Sequence, residues 1–274
     1  MAGEQTLTDF DELFHSLRRA AQRLVEMDAA EGAAGNLSYY FEPSFDPSER
    51  FPNQREIQLP VKAPALRGGW LLMSGSGQRM RDIAADPQAS MGLVKVKADG
   101  KTGQLYTCDA CRFTRLTTEF NSHLAVHNDQ VALNGYHFLA LAHAQPKTLT
   151  FFSHTPRYQD QDYFNRHLLR WQPETIMNFP TGIGVAPFAP PASPELMEAN
   201  VRLMRDHTLV VWSRHGVMSK STLSMEHAVD LIEYAETAAR YELMNLNSGE
   251  IADGLSAEQI RTICLAFNIK QTVF

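Results

Sequence analysis

Short apolar runs separated by glycine and proline fill residues 58–106, and they constrain the fold more than any other feature of the chain. The runs are IQLP, GWLLMS, MGLVKV and QLYTC. Runs of this length, bounded by turn-forming residues, are typical of β-strands. The KADGKTG segment between the last two runs has the composition of a hairpin turn. This part of the chain is therefore predicted to form a β-sheet.

Helices are predicted on both sides of these strands. Residues 8–28 have apolar side chains at three- and four-residue spacing, with Thr8 as the predicted N-cap. Further helices are predicted over 119–133, near 160–170 and 194–206, over 223–247 and near 256–266, and further strands over HFLALAH and TLVVW. Because the two element types are mixed throughout and no linker divides the chain, we expect residues 1–274 to form one α/β or α+β domain, with helices on both sides of a single sheet.

Charge and hydropathy argue against several classes of partner. The chain has 25 Lys+Arg against 31 Asp+Glu and a formal net charge of −6, which does not attract a polyanion, so we expect no nucleic-acid partner. The longest apolar stretches, such as residues 138–142, are far shorter than the roughly 20 residues that span a bilayer, so no membrane partner is expected. The start MAGEQTLTDFDE lacks the apolar region of a signal peptide. These features favour a cytoplasmic protein.

Cys108 and Cys111 form a CxxC pair, and Cys264 lies far from them in the sequence. A structural zinc site uses four ligands, usually from two such pairs. The segment QLYTCDACRFTRL is typical of a strand and a turn, whereas a redox CxxC normally begins a helix. Both thiols are therefore predicted to be reduced, in or near a strand.

Two glycine-rich segments resemble anion-binding turns. TGIGVAP at 181–187 begins like a dinucleotide-binding GxGxxG motif but has Pro187 in place of the third glycine, so no dinucleotide site is predicted. SGSG at 74–77 follows the apolar run GWLLM, and the backbone N–H groups of such a turn can point at an anion. Many turns of this composition bind nothing, so the motif alone leaves both interpretations open.

Histidines follow two predicted buried strands. His143 ends HFLALAH, and His215 follows TLVVW in the segment SRHGV. Functional side chains often lie at such positions, although a hydrogen-bonded histidine in the core or at its rim is the better interpretation of either one taken singly. Gln145 shares a strand face with His143, because side chains alternate with period two. Glu119, His123 and His127 share one helix face, which we interpret as a solvated or pocket-edge face rather than a metal site.

Six short motifs occur along the chain in an informative order. They are GNLS at 35–38, SGSG at 74–77, LTTEFNSHLAVH at 116–127, AHAQ at 142–145, FPTGIG at 179–184 and RHGV at 214–217. Together they resemble the class II aldolase/adducin family, and within it the rhamnulose-1-phosphate aldolases, over nearly the whole chain. The resemblance implies a three-layer α/β/α sandwich around a largely antiparallel sheet, usually assembled as a homotetramer.

The resemblance also implies an activity and a set of site residues. The activity is metal-dependent retro-aldol cleavage of a ketose 1-phosphate, such as L-rhamnulose 1-phosphate, to dihydroxyacetone phosphate and a short aldehyde. Glu119 matches the family's catalytic acid/base, which can also touch the metal, and Glu174 matches a second proton carrier. His143 and His215 match ligands of a divalent metal, with zinc expected. The family's phosphate-binding positions fall on Gly35, Asn36, Ser74, Gly75, Thr117 and Thr118.

This chemistry suits the residue types. Retro-aldol cleavage leaves negative charge on the oxygens of an enediolate, which a divalent cation stabilises as the charge develops. A neighbouring carboxylate can then transfer the proton. Backbone N–H groups and small hydroxyls can hold the phosphate, so no basic run of residues is required.

Two positions depart from the family pattern. Gln145 replaces the second imidazole ligand, and its amide oxygen is a weaker zinc ligand than imidazole. The site can therefore bind zinc more weakly, favour a harder metal, recruit another side chain or have lost the metal. Ala33 replaces an asparagine and removes a polar group near the phosphate or the substrate oxygens. Besides the aldolase, this leaves open an epimerase or dehydratase acting on a related sugar phosphate, and a non-catalytic, adducin-like member.

Overall fold

The computed structural model describes residues 10–43 and 46–274, and within them nine strands and ten α-helices. The strands are β1 (Asn36–Phe41), β2 (Asn53–Gln58), β3 (Trp70–Ser74), β4 (Met91–Val96), β5 (Thr102–Thr107), β6 (Phe138–Ala144), β7 (Gly184–Ala186), β8 (Leu209–Trp212) and β9 (Gly216–Ser221). The helices are α1 (Phe10–Glu26), α2 (Met80–Ala85), α3 (Pro87–Ser90), α4 (Phe120–Asn134), α5 (Lys147–Phe152), α6 (Gln161–Leu168), α7 (Pro173–Asn178), α8 (Pro194–Met204), α9 (Met225–Asn247) and α10 (Ala257–Ala266). Short 3-10 helices cover Pro47–Arg50, Pro64–Leu66, Pro156–Gln159 and Leu169–Trp171.

All nine strands belong to one sheet, in the order β2-β5-β4-β3-β1-β6-β9-β8-β7 within the described residues. Neighbouring strands are antiparallel except β7 and β8, which are parallel. The edge strand β2 has the polar sequence NQREIQ and is largely exposed. Polar side chains on an edge strand discourage pairing with a further strand.

Helices cover both faces of the sheet. On one face α1, α5, α6 and α9 pack over alternate residues of the central strands. On the other face α4, α8 and the turn Pro64–Leu66 pack over the intervening residues. All seven residues of β6, FLALAHA, are buried, because this strand lies near the middle of the sheet with helices on both sides. The predicted three-layer α/β/α sandwich around a largely antiparallel sheet is confirmed.

Most predicted elements occur with small shifts at their ends. The first helix runs from Phe10 to Glu26, while its predicted N-cap, Thr8, lies outside the described residues. The strand predicted over IQLP ends earlier, at Gln58, because β2 is set by its pairing with β5, in which Asn53 lies opposite Thr107. Cys108 directly follows β5, and all three cysteines are free.

Several strand ends meet at one end of the sheet. Asn36 opens β1 opposite His143 near the end of β6, and β3 ends nearby at Ser74. The turn between β8 and β9 lies beside the end of β6, where Ala144 pairs with Val217. Polar side chains from four different segments are therefore gathered at this end.

No helix in the described part of the chain is both long enough and apolar enough to cross a membrane.

Candidate active site

Glu119, His143 and His215 form a compact cluster at this end of the sheet. Each offers a ligand atom, and these atoms lie within 4.8 Å of one another. The two carboxylate oxygens of Glu119 face different rings: Oε2 lies 3.3 Å from Nε2 of His143, and Oε1 lies 3.3 Å from Nε2 of His215. The side chains are 6%, 1% and 13% exposed respectively, so the cluster is a buried site open on its His215 side.

The orientation of the His143 ring is fixed by the strands around it. Its Nδ1 lies 2.8 Å from the carbonyl oxygen of Val217 on β9. A carbonyl can only accept, so Nδ1 carries a proton, and the neutral form of the ring presents its lone pair at Nε2. The ring also stacks on Trp212, the last residue of β8, with centroids 4.5 Å apart. His143 is therefore held in the tautomer and orientation that a metal ligand requires.

His215 is presented by the tight turn between β8 and β9. Trp212 and Gly216 pair across the turn, and Arg214 adopts a left-handed conformation with φ 64°. The backbone N–H of Arg214 donates to the hydroxyl of Ser153 at 2.7 Å, which anchors the turn. Burial, and to a smaller extent the nearby His143, lower the pKa of His215 to about 4, although Glu119 acts in the opposite direction. The ring is therefore neutral at neutral pH, which is the form that binds metals.

The cluster fits a divalent cation. His143 Nε2 and Glu119 Oε2 are both hydrogen-bond acceptors, and they face each other at 3.3 Å. Glu119 Oε1 is buried without a hydrogen-bond partner among the described residues. Two imidazole nitrogens and one carboxylate are a common catalytic ligand set, and a cation between them would satisfy these acceptors.

Gln145 lies beside this cluster. A Cβ atom at Gly216 would lie 3.0 Å from Cγ of Gln145, 3.2 Å from Cε1 of His143 and 2.4 Å from the carbonyl oxygen of Ala144. The glycine thus lets the start of β9 approach the end of β6 closely, and it places the Gln145 side chain next to the His143 ring. The backbone N–H of Gln145 donates to the Ala29 carbonyl at 2.8 Å, which fixes the chain at this point.

The face of α4 that carries Glu119, His123 and His127 is buried, so its interpretation as a solvated or pocket-edge face is wrong. His123 and His127 have no exposed surface, because α4 packs this face against β1. Asn36 Nδ2 donates to Glu119 Oε2 at 2.8 Å, and His123 Nε2 contacts Asn36 Oδ1. This contact of His123 was not predicted from the sequence. The shared face of Asn36 and Ser38 on β1 was the available signal.

The residues predicted to bind phosphate lie together, between the ends of β1 and β3. Ser74 Oγ accepts from the Leu37 N–H at 2.9 Å, and the Thr117 N–H donates to the Ser74 carbonyl at 3.0 Å. The Gly75 N–H already donates to the Ser90 carbonyl at 2.9 Å. Thr118 is exposed. Gly35 has φ 82°, and a side chain there would meet the His143 carbonyl at 2.8 Å, so glycine is needed at this close approach.

Glu174 lies apart from this cluster. It is in the first turn of α7 and lines a surface pocket with Asp230, Glu233 and Tyr234 of α9. Within the described residues, no hydrogen bond or ion pair joins it to Glu119, His143 or His215. Ala33 is exposed in the loop before β1.

Comparisons with known proteins agree with this architecture. Residues 15–243 match the family described as Class II Aldolase and Adducin N-terminal domain. The chain is 30% identical over 242 residues to the rhamnulose-1-phosphate aldolase of Bacteroides thetaiotaomicron, covering 88% of each protein. The rhamnulose-1-phosphate aldolase of Klebsiella pneumoniae is 27% identical over 219 residues, covering 79% of this chain and 77% of the relative.

Solved structures share the fold. A sugar-phosphate aldolase from Thermotoga maritima superposes with a TM-score of 0.75 at 24% identity, covering 89% of this chain and 99% of that chain. An L-fuculose 1-phosphate aldolase superposes with a TM-score of 0.58 at 17% identity, covering 97% of this chain and 100% of that chain.

Proposed function

The chain belongs to the class II aldolase and adducin family, and on this basis we propose that it is a metal-dependent aldolase acting on a ketose 1-phosphate of the L-rhamnulose 1-phosphate type. Its products are dihydroxyacetone phosphate and a short aldehyde. The observation that carries the proposal is the buried cluster of Glu119, His143 and His215, whose ligand atoms lie within 4.8 Å of one another. The choice of substrate is supported by the relative that is 30% identical and named rhamnulose-1-phosphate aldolase.

The three clustered residues, with Gln145 beside them, would hold a divalent cation, for which zinc is our proposal. When bound, this cation stabilises the negative charge that develops on the substrate oxygens. His143 contributes a lone pair fixed by its hydrogen bond to Val217. His215 contributes a neutral ring, because burial lowers its pKa to about 4.

Glu119 is the proposed acid/base. Its Oε2 is held by Asn36, whereas its Oε1 is buried and has no hydrogen-bond partner among the described residues. An oxygen without a partner, in a site screened from water, is suited to accept a substrate proton and to return it later. In this proposal Oε2 of Glu119 is therefore held in place, and Oε1 transfers the proton.

The far end of the substrate would lie between β1 and β3, where Gly35, Ser74, Gly75, Thr117 and Thr118 are proposed to hold the phosphate. Asn36 was predicted to belong to this group, but its side chain is engaged by Glu119 and His123. Glu174 stays a predicted second proton carrier. The homotetramer and the cytoplasmic location also stay predictions.

The first experiment measures metal content and cleavage together. Protein purified without chelator is expected to hold about one metal ion per chain, as a single three-residue ligand set implies. His143→Ala is expected to lose the metal, whereas His15→Ala, an exposed histidine on α1, is the matched control and keeps it. Release of dihydroxyacetone phosphate from L-rhamnulose 1-phosphate is then measured with the metal-bound protein and with each variant.

Product analysis distinguishes the outcomes. A three-carbon phosphate that appears with wild type and not with His143→Ala supports the aldolase. Consumption of the sugar phosphate without a three-carbon product would instead indicate an epimerase or dehydratase. A metal-loaded protein that binds ketose 1-phosphates and cleaves none of them would overturn the proposal.

A further inference from the structure

A line of buried polar side chains extends from Glu119 into the protein interior. Asn36 Nδ2 lies 2.8 Å from Glu119 Oε2, and Asn36 Oδ1 contacts His123 Nε2. Ser38 Oγ lies 2.7 Å from His123 Nδ1 and 2.8 Å from His127 Nε2. None of the five residues is more than 5% exposed. We call this line the buried hydrogen-bond chain.

The buried hydrogen-bond chain forms because the distance between its residues is similar along the strand and along the helix. Asn36 and Ser38 are two residues apart on β1, a rise of about 6.6 Å along the strand. Glu119, His123 and His127 are four residues apart along α4, a rise of about 6 Å. The side chains can therefore interleave, alternating between helix and strand. The three inner members, Asn36, His123 and Ser38, each meet two partners from the opposite element.

The hydrogen bonds nearest Glu119 have one consistent direction. An ionised carboxylate can only accept, so the amide group of Asn36 turns its N–H toward Glu119. Asn36 Oδ1 then faces His123 and must accept, so His123 Nε2 carries a proton. Complete burial lowers the pKa of His123 well below its usual value, and the nearby His127 and His143 lower it further, so the ring is neutral. His123 Nδ1 is consequently an acceptor.

The same direction of donation continues to His127, the last member of the buried hydrogen-bond chain. Ser38 has one hydroxyl proton and donates it to His123 Nδ1. It must therefore accept from His127, whose Nε2 carries a proton. Burial also lowers the pKa of His127 to about 3, so its ring is neutral and Nδ1 is bare. This Nδ1 is buried without a hydrogen-bond partner among the described residues. Every donor in the chain thus points toward Glu119.

We propose that His123 and Ser38 are positioning residues of the active site, which act through Asn36 to fix the rotation of the Glu119 carboxylate. The aligned donors hold Oε2 and leave Oε1 free toward His215. Because aligned hydrogen bonds polarise one another, the far members strengthen the bond that Asn36 makes to Glu119. This inference rests on the proposed function, since it takes Glu119 as the acid/base.

The first test reads the tautomers directly and needs no activity. Histidine is labelled with ¹⁵N, and the resonances of His123 and His127 are assigned from His123→Gln and His127→Gln. Both rings are expected to be neutral and protonated at Nε2 in the metal-free protein at neutral pH. Protonation at Nδ1 in either ring, or a doubly protonated ring, would be incompatible with donors that all point toward Glu119. Either result would overturn the proposal. This result stands whether or not the protein cleaves a ketose phosphate.

The second test separates positioning from folding. His123→Leu removes the donor to Asn36 and is expected to lower kcat about 10–100-fold with little change in KM, as for other residues that orient a metal-site group. His123→Gln can still donate from its amide and is expected to recover most of this loss. Equal kcat values for His123→Leu and wild type, or no recovery with glutamine, would overturn the proposal.

Two serine variants provide a further test that does not depend on the folding of His123→Leu. Ser38→Ala is expected to lower kcat by a smaller factor than His123→Leu, again with little change in KM. Ser219→Ala is the matched control: this serine is also fully buried, but it donates to the Ala228 carbonyl at 2.7 Å, outside the site. It is expected to leave kcat unchanged. A kcat for Ser38→Ala that equals that of Ser219→Ala would count against positioning.

Discussion

Glu119 at the end of the sheet and Glu242 on α9 are both almost completely buried, and their surroundings differ. Glu242 accepts from the hydroxyl of Tyr158 at 2.7 Å and from the indole N–H of Trp171 at 3.1 Å, with the Arg170 guanidinium 3.4 Å away. Glu119 has one hydrogen-bond donor, Asn36, and its Oε1 has none among the described residues. Each oxygen of Glu119 instead faces the Nε2 atom of an imidazole, Oε2 that of His143 and Oε1 that of His215.

This difference separates a structural carboxylate from a reactive one. Burying a charge is costly unless hydrogen bonds and an opposite charge compensate for it. Around Glu242 the compensation is complete, so the carboxylate ties α9 to the segments that carry Tyr158 and Trp171. Around Glu119 the compensation is incomplete, and the remaining capacity is available for a cation and for a substrate proton. A buried charge with incomplete compensation is typical of functional sites.

The largest expected effect comes from Glu119→Gln. We expect activity to fall about 10²–10⁴-fold, because the proposed acid/base is lost. The neutral amide removes a buried charge whose compensation is incomplete, so the metal-free variant should unfold at the same temperature as wild type or higher. Assays and thermal unfolding of the same preparations check this. Loss of activity accompanied by a clear fall in the unfolding temperature would indicate that Glu119, like Glu242, has a structural role.

The reverse outcome is expected for Glu242→Gln. The amide nitrogen must face one of the donors of Tyr158, Trp171 or Arg170, so the free energy of unfolding should fall by about 1–3 kcal/mol. Activity at temperatures well below unfolding should stay at the wild-type level. Urea denaturation beside the cleavage assay measures both quantities. A large fall in activity in the folded variant would contradict a purely structural role.

An effect on stability alone is expected from pH. His127 has a pKa of about 3 in the folded protein, below its unfolded value near 6.5, so below pH 6.5 the unfolded state binds more protons. Stability should therefore fall with decreasing pH by about 1.4 kcal/mol per pH unit for each such buried histidine. His123, whose pKa is also lowered by burial, adds to this slope.

Urea denaturation between pH 4 and 6.5 measures this slope. His127→Gln should reduce it, since it removes one titrating ring. Glu242→Gln should leave most of it, because the partners of Glu242 keep their protons over this range. An unchanged slope in His127→Gln would show that the buried hydrogen-bond chain does not cause the acid sensitivity.

Local patterns in the sequence determined most of the secondary structure. The apolar spacing of α1 and the continuous apolar run of β6 depend on side chains a few residues apart, so they can be read without the fold. The strand β9 was not predicted, since GVMSKS has little apolar pattern and is a strand because it pairs with β6 and β8. Motif order alone supplied the family and the candidate ligands Glu119, His143 and His215.

The tertiary structure decided what each polar side chain contacts. Asn36 was predicted to bind phosphate, but it bonds to Glu119, 83 residues away in the sequence. His123 and His127 were interpreted as partly solvated, but the packing of α4 on β1 buries them completely. Glu174 lines a surface pocket with residues of α9, and its role as a second proton carrier stays a prediction. Secondary structure follows from neighbours in the sequence, whereas hydrogen-bond partners and burial follow from which distant segments pack together, and no local pattern specifies that.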